Sequence, residues 1–252
     1  MNSTVPIEGQ VLTAGRFRSW AATHPGVKRS NNEDTYVNRP DLGLWAVADG
    51  AGGHQSGDVA ASTVADALER TPVDLAAPEM LLQVRGRIAG AHEALLAEAA
   101  RRGAGAMLAA AVIVLLARDD HFACLWAGDS RAYLRRGGTL TQVSSDHSLV
   151  QEMLDAGAIT EDEAKDHPRG NVITRAVGAE TDALELDKIT DRLEPGDRFL
   201  LCSDGLYKTL PDSELDTLLA SPGEASPAEL LVAAALARQA TDNVTAVVVE
   251  VG

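Results

Sequence analysis

Apolar residues recur along the chain with two periods, one of strands and one of helices. Phe17–His24, Thr35–Arg39 and Leu44–Ala48 are short runs of aromatic, β-branched and small apolar residues, which predicts strands. Between the second and third, Pro40-Asp41-Leu42-Gly43 is turn chemistry and predicts a hairpin. Ser56–Arg70 and Pro78–Arg101 place Ala and Leu at helical spacing, the second with a proline in its first turn. Four strands are expected next, at Met107–Ala117, His121–Ala127, Ala132–Arg136 and Thr139–Val143. Their links are too short for crossover helices, so neighbours are expected to pair as antiparallel hairpins. Helical spacing returns over Ser148–Lys165, with Leu149, Val150, Met153 and Leu154 on one face. Strands are expected at Leu184–Thr190 and Arg198–Cys202, helices at Asp212–Ala220 and Pro227–Gln239, and a final strand at Val244–Val251. That last run, Val-Thr-Ala-Val-Val-Val-Glu-Val, calls for burial, so the chain must return to a sheet begun far earlier. Strands and helices segregate, which predicts the α+β class. One domain is expected over residues 16–252, after an N-terminal extension at 1–15.

Composition narrows the function. Lys and Arg number 22 against 37 Asp and Glu, a formal charge of −15, which removes the basic footprint that nucleic-acid binding needs. Cys124 and Cys202 lie far apart with no CxxC pair, which excludes a zinc ribbon or disulfide scaffold and points to a reducing compartment. MNSTVPIEGQ is no signal peptide, and the longest apolar run, Met107–Ala117, is short of the roughly 20 residues a bilayer requires. A cytoplasmic protein without a membrane span is expected. No GxxxxGK[ST] or HExxH occurs, and Gln55 breaks a GxGxxG reading of the Asp49–His54 loop.

The remaining signal is acidic. Glu33-Asp34, Asp49-Gly50, Gly128-Asp129-Ser130, Ser203-Asp204-Gly205 and Asp242-Asn243 stand where strands meet turns. Asp-Gly and Asp-Asn are ordinary turn dipeptides when taken singly. Asp49, Asp129 and Asp204, however, each end a strongly apolar strand. Carboxylates gathered at buried strand ends repel one another unless a cation sits among them, and oxygen ligands suit Mg²⁺ or Mn²⁺.

Seven motifs in order carry a resemblance. They are Arg29-Ser30-Asn31-Asn32-Glu33-Asp34, Ala48-Asp49-Gly50-Ala51-Gly52-Gly53-His54, Ala127-Gly128-Asp129-Ser130-Arg131, Ser145-Asp146-His147-Ser148, Thr174-Arg175-Ala176-Val177-Gly178, Cys202-Ser203-Asp204-Gly205-Leu206 and Asp242-Asn243-Val244-Thr245. Over about residues 16–251 the chain resembles the metal-dependent serine/threonine protein phosphatases of the PPM, or type 2C, family. The resemblance implies an α-β-β-α sandwich with two ions, Mn²⁺ or Mg²⁺, at one end, and a flap at about 147–175. It implies that Asp49 bridges the ions, with the Gly50 carbonyl on one of them. Asp204 and Asp242 would complete the first set of ligands and Glu33 the second, Asp34 would orient water, and Arg29 would grip the phosphate with its planar fork. A bridging water would then attack phosphorus directly, without a covalent intermediate. The implied partners are phosphoserine and phosphothreonine proteins and a kinase acting in opposition. The Ser203–Lys208 stretch also resembles phosphatases that accompany type VI secretion kinases, and a monomer is expected.

The departures from the pattern are equally specific. Ala51 stands where animal members carry a His taken as general acid, and His54 is expected at a helix start instead. Lys208 stands where many members have an Asp that holds a third ion together with Asp129. If its ammonium turns inward to pair with Asp129, a third ion is weak or absent; otherwise it points to solvent. Two other readings are weighed: a non-catalytic binding module, which loss of Asp49, Asp204 or Asp242 would favour, and a serine hydrolase built on Ser130. The second needs Gly128-Asp129-Ser130-Arg131-Ala132 to lead into a helix, whereas the residues that follow read as a strand.

Overall fold

The computed structural model describes residues 5–51, 56–165, 167–179, 184–221 and 225–252. In chain order the elements are β1 (Glu8–Ala14), β2 (Phe17–His24), β3 (Asp34–Arg39), β4 (Leu44–Ala51), α1 (Gly57–Glu69), α2 (Ala77–Arg102), β5 (Ala109–Arg118), β6 (His121–Ala127), β7 (Arg131–Arg136) and β8 (Thr139–Gln142). There follow α3 (Leu149–Asp155), α4 (Glu161–Lys165), β9 (Asp187–Arg192), β10 (Arg198–Cys202), α5 (Asp204–Tyr207), α6 (Asp212–Ala220), α7 (Pro227–Ala237) and β11 (Val244–Val251). Two antiparallel sheets stack face to face, one in the order β1-β2-β11-β10-β7-β8 and the other β3-β4-β5-β6-β9.

Strand alternation makes the layers. Along β5, Ala110, Val112, Val114 and Leu116 pack outward with α1 and α2, while Ile113, Leu115 and Ala117 pack inward. Along β11, Val244, Ala246 and Val248 meet α5, α6 and α7, and Val247, Val249 and Val251 fill the space between the sheets. Trp45, Phe122 and Phe199 complete that middle layer. Both faces of these strands are covered, so their sequences are mostly apolar, with Thr245 and Glu250 the polar exceptions in β11. The result is the expected α-β-β-α sandwich, with β11 inserted between β2 and β10.

Three local expectations are corrected. Glu8–Ala14, placed in an N-terminal extension, pairs along its length with β2 as an edge strand of the six-stranded sheet. Its Glu-Gly-Gln start is exposed and polar, which hid the strand. The link from β6 to β7 is not a hairpin: β6 belongs to one sheet and β7 to the other. Gly128 makes the crossing at φ 115°, a left-handed conformation, and its Cα lies so close to Ala111 that a Cβ would collide there. The helical stretch at 148–165 is two short helices, broken where Gly157 takes φ 66°. These lie in an excursion whose ends are stitched by Thr174 N–H to His147 O and by a bridge between Ser148 and Ile173.

Candidate active site

Every acidic residue singled out from the sequence lies at the same end of the sandwich. Asp34 opens β3 and stands opposite Asp49, near the end of β4, in the register of that hairpin. Asp129 occupies the crossing between sheets, Asp204 follows β10 at the start of α5, and Asp242 precedes β11. Arg29 and Glu33 lie on the loop from β2 to β3. That loop is pinned by Asn243, whose Oδ1 accepts from the Glu33 N–H at 2.8 Å while its Nδ2 donates to the carbonyls of Pro25 and Asn31. A close approach holds the other side: a Cβ on Gly205 would run into the Asn243 carbonyl.

Asp34 is buried, and Oδ2 accepts from Ser203 Oγ and from Thr245 Oγ1, each at 2.7 Å. Its Oδ1 has no hydrogen-bond partner among the described residues. Burial pushes this carboxyl up to about 7, against the two hydroxyls and with help from Asp204 and Asp242. Burial likewise raises Asp49 well above the carboxylate range, joined by the charges of Asp34, Asp204, Asp129 and Asp242. Asp129 rises to about 6 through burial and Asp204, with Lys208 pulling the other way. Glu33 is raised by burial, opposed by Arg29. Arg29 makes a two-pronged pair with Asp242, Nε to Oδ1 and Nη2 to Oδ2, both at 3.0 Å, with its side chain 54% exposed at the rim. Lys208 turns inward: Nζ lies 2.7 Å from Asp204 Oδ2 and 3.6 Å from Asp129 Oδ2, so its nearer partner is Asp204 rather than Asp129.

The donor set fits hard divalent cations. All the candidate ligands are oxygens, one buried carboxylate oxygen of Asp34 is unpartnered, and the carboxylates raise one another's pKa. At Gly57 the absence of a side chain keeps a cradle open, since a Cβ there would stand 2.8 Å from both the Glu33 carboxyl carbon and the Gly50 carbonyl oxygen. Among the described residues no three His, Cys, Asp or Glu side chains form a closed metal cage. Asp242 is turned to Arg29 and Asp204 to Lys208. Gly57, Asn243, Ser203 and Thr245 shape the site through these contacts, and the sequence reading did not single them out. The last three stood inside quoted motifs beside the aspartates, which was the available signal.

Ser130 is buried, its Oγ has no hydrogen-bond partner among the described residues, and the chain beyond it is β7. It therefore lacks both the base and the helix a serine nucleophile needs. Ala51 ends β4 and offers no acid, and His54 lies outside the described residues.

An oxygen-only constellation at the end of an α-β-β-α sandwich, with an arginine at its rim, is suited to divalent cations and to an anionic substrate. Residues 27–239 match the family described as protein phosphatase 2C. The serine/threonine phosphatase stp of Listeria welshimeri is 34% identical over 240 residues, covering 90% of this chain and 93% of that protein. Two solved structures superpose closely. PppA, described as a key regulatory component of T6SS in Pseudomonas aeruginosa, is 42% identical with a TM-score of 0.86 over 94% of this chain and 99% of its own. The catalytic domain of the serine/threonine protein phosphatase PstP in complex with two manganese ions is 32% identical with a TM-score of 0.82, covering 93% and 98%. The chain belongs to the protein phosphatase 2C family and is a protein serine/threonine phosphatase. No helix among the described residues is long and apolar enough to cross a membrane.

Proposed function

We propose that this phosphatase removes phosphate from phosphoserine and phosphothreonine on proteins with two ions, Mn²⁺ or Mg²⁺, held by Asp49, the Gly50 carbonyl, Asp204, Asp242 and Glu33. The observation that carries the assignment is the convergence of Asp34, Asp49, Asp129, Asp204 and Asp242, from separate strand ends, into one set of mutually repelling carboxylates. Bound there, the ions would supply Lewis-acid activation of water for in-line attack on phosphorus. Asp34 Oδ1, unpartnered among the described residues, is the acceptor that would orient that water and take its proton, because Ser203 and Thr245 already occupy Oδ2. Arg29, held at the rim by Asp242, presents a guanidinium to the equatorial phosphoryl oxygens as their charge grows. Asn243 keeps Glu33 and Arg29 in place through the loop backbone.

The cellular setting follows the same line. The likeness to PppA supports a role in regulating type VI secretion, in which this phosphatase would act opposite a serine/threonine kinase. The protein would act as a cytoplasmic monomer, with residues 147–175 as a flap beside the site. The test is hydrolysis of a phosphothreonine peptide with Mn²⁺, with and without a chelator, by the wild type and by Asp49→Asn. Activity that needs the metal and collapses in the variant supports the reading. A wild type inactive with every divalent ion tried would instead make the chain a binding module.

A further inference from the structure

Lys208 follows α5, four residues after Asp204, and its side chain joins three separate pieces of the molecule. Nζ donates to Asp204 Oδ2 at 2.7 Å and to Asn171 Oδ1 at 2.9 Å, and it stands 3.6 Å from Asp129 Oδ2. Asp204 and Asp129 belong to the catalytic end, whereas Asn171 belongs to the flap. An ammonium has three N–H donors, and here three acceptors face it.

The ground beneath this contact is firm. Tyr207 donates its hydroxyl to the Asp129 carbonyl at 3.0 Å, and the Arg131 guanidinium lies 3.8 Å from the centre of the Tyr207 ring. Arg131 in turn makes a two-pronged pair with Asp146, just before the flap begins. Between flap and core runs a groove of about 670 Å³, with His167, Pro168 and Asn171 on the flap side and Asp129, Tyr207 and Lys208 on the core side. The Lys208–Asn171 hydrogen bond spans it.

We propose that Lys208 is a positioning residue that latches the flap to the catalytic end, its ammonium tying Asn171 to Asp204, and that this latch sets the width of the groove receiving the polypeptide around the phosphoresidue. The proposal rests on the phosphatase reading of the site. It also implies that a third divalent ion would bind weakly, because a fixed positive charge lies between the two carboxylates that would hold one.

Two variants test the latch from its two sides. Lys208→Met keeps the length of the stem and removes the charge. Asn171→Ala removes the acceptor on the exposed flap without touching a carboxylate, so it carries the test should Lys208→Met fail to fold. In the Mn²⁺-loaded protein, each is expected to speed amide hydrogen exchange in residues 148–173 by about tenfold or more, the worth of a hydrogen bond to a charged group. Lys208→Arg, which keeps charge and reach, is expected to retain most of the protection. In kinetics, Asn171→Ala is expected to raise KM for a phosphothreonine peptide several-fold while hydrolysis of p-nitrophenyl phosphate, too small to span the groove, changes much less. Calorimetry should show an additional Mn²⁺-binding event in Lys208→Asp that the wild type lacks. Unchanged exchange across 148–173 in both variants, or equal changes for peptide and small substrate, would overturn the latch. Failure of the phosphatase reading is separately visible, as a wild type that hydrolyses neither substrate.

Discussion

Asp34 and Asp49 face each other across a hairpin, and two charges so placed in a closed end of the protein are costly. The consequence is a pH dependence whose sign can be worked out. In chelator-stripped protein Asp34 titrates near 7, against an ordinary value of 3.8, so between those pH values the folded state keeps a proton that the unfolded chain has released. Stability of the stripped protein should therefore fall as pH rises from about 4 to 7. Mn²⁺ needs the deprotonated carboxylates, so its stabilising effect should be larger at pH 7.5 than at pH 5. Thermal melts at the two pH values, with and without Mn²⁺, check this; a Mn²⁺-induced shift of equal size at both would contradict it. Arg29→Ala should lower kcat/KM by about 100- to 1,000-fold, as for loss of one preorganised donor to a charged transition state, and should leave Mn²⁺ stoichiometry intact. Asn243→Ala, which frees the loop carrying Glu33, should cost about 10- to 100-fold in Mn²⁺ affinity or activity, read by calorimetry and peptide hydrolysis.

Strands with both faces covered announced themselves: β2, β6, β10 and β11 have the bounds their apolar runs suggested. Elements with one open face did not. β9, Asp-Lys-Ile-Thr-Asp-Arg, is exposed along its length and was expected to start three residues and end two residues earlier, and β1 was missed altogether. The four-residue α5 was missed too, because its Ser-Asp-Gly start reads as a turn. Pairing partners were legible where a turn enforces them, as at Pro40–Gly43, and illegible at Gly128, where one glycine sends the chain into the other sheet. That crossing is what delivers Asp129 to the site. The middle layer should be the most sensitive to truncation. Ile113→Ala, at a fully buried position between the sheets, should cost about 2–5 kcal/mol by chemical denaturation, whereas Leu82→Ala on the exposed side of α2 should cost little.

At the scale of the whole molecule, the sandwich brings five carboxylates separated by as many as 208 positions, Asp34 to Asp242, to one end. Single motifs in the sequence marked the aspartates, but only the packed fold showed what holds them: Ser203 and Thr245 on Asp34, Asn243 on the Glu33 loop, and the open cradle at Gly57. The inward turn of Lys208 was equally beyond the sequence, since a lysine stem reaches solvent or site with equal ease until its neighbours are placed. β1 protects the assembly at its edge, and removing residues 1–14 should expose the long edge of β2, lowering the melting temperature and promoting aggregation, as scattering during a melt would show. The central claim is that the gathered carboxylates hold the ions that make this family member a phosphatase. The most direct measurement pairs Mn²⁺ stoichiometry with phosphothreonine-peptide hydrolysis for wild type and Asp49→Asn, each shown to be folded by circular dichroism. The account predicts two tightly bound ions and chelator-sensitive turnover in the wild type, and loss of Mn²⁺ binding with a fall in turnover beyond about 100-fold in the variant, since even residues behind the ligands cost 10–100-fold. A folded Asp49→Asn protein that binds both ions and keeps most of its turnover would contradict it.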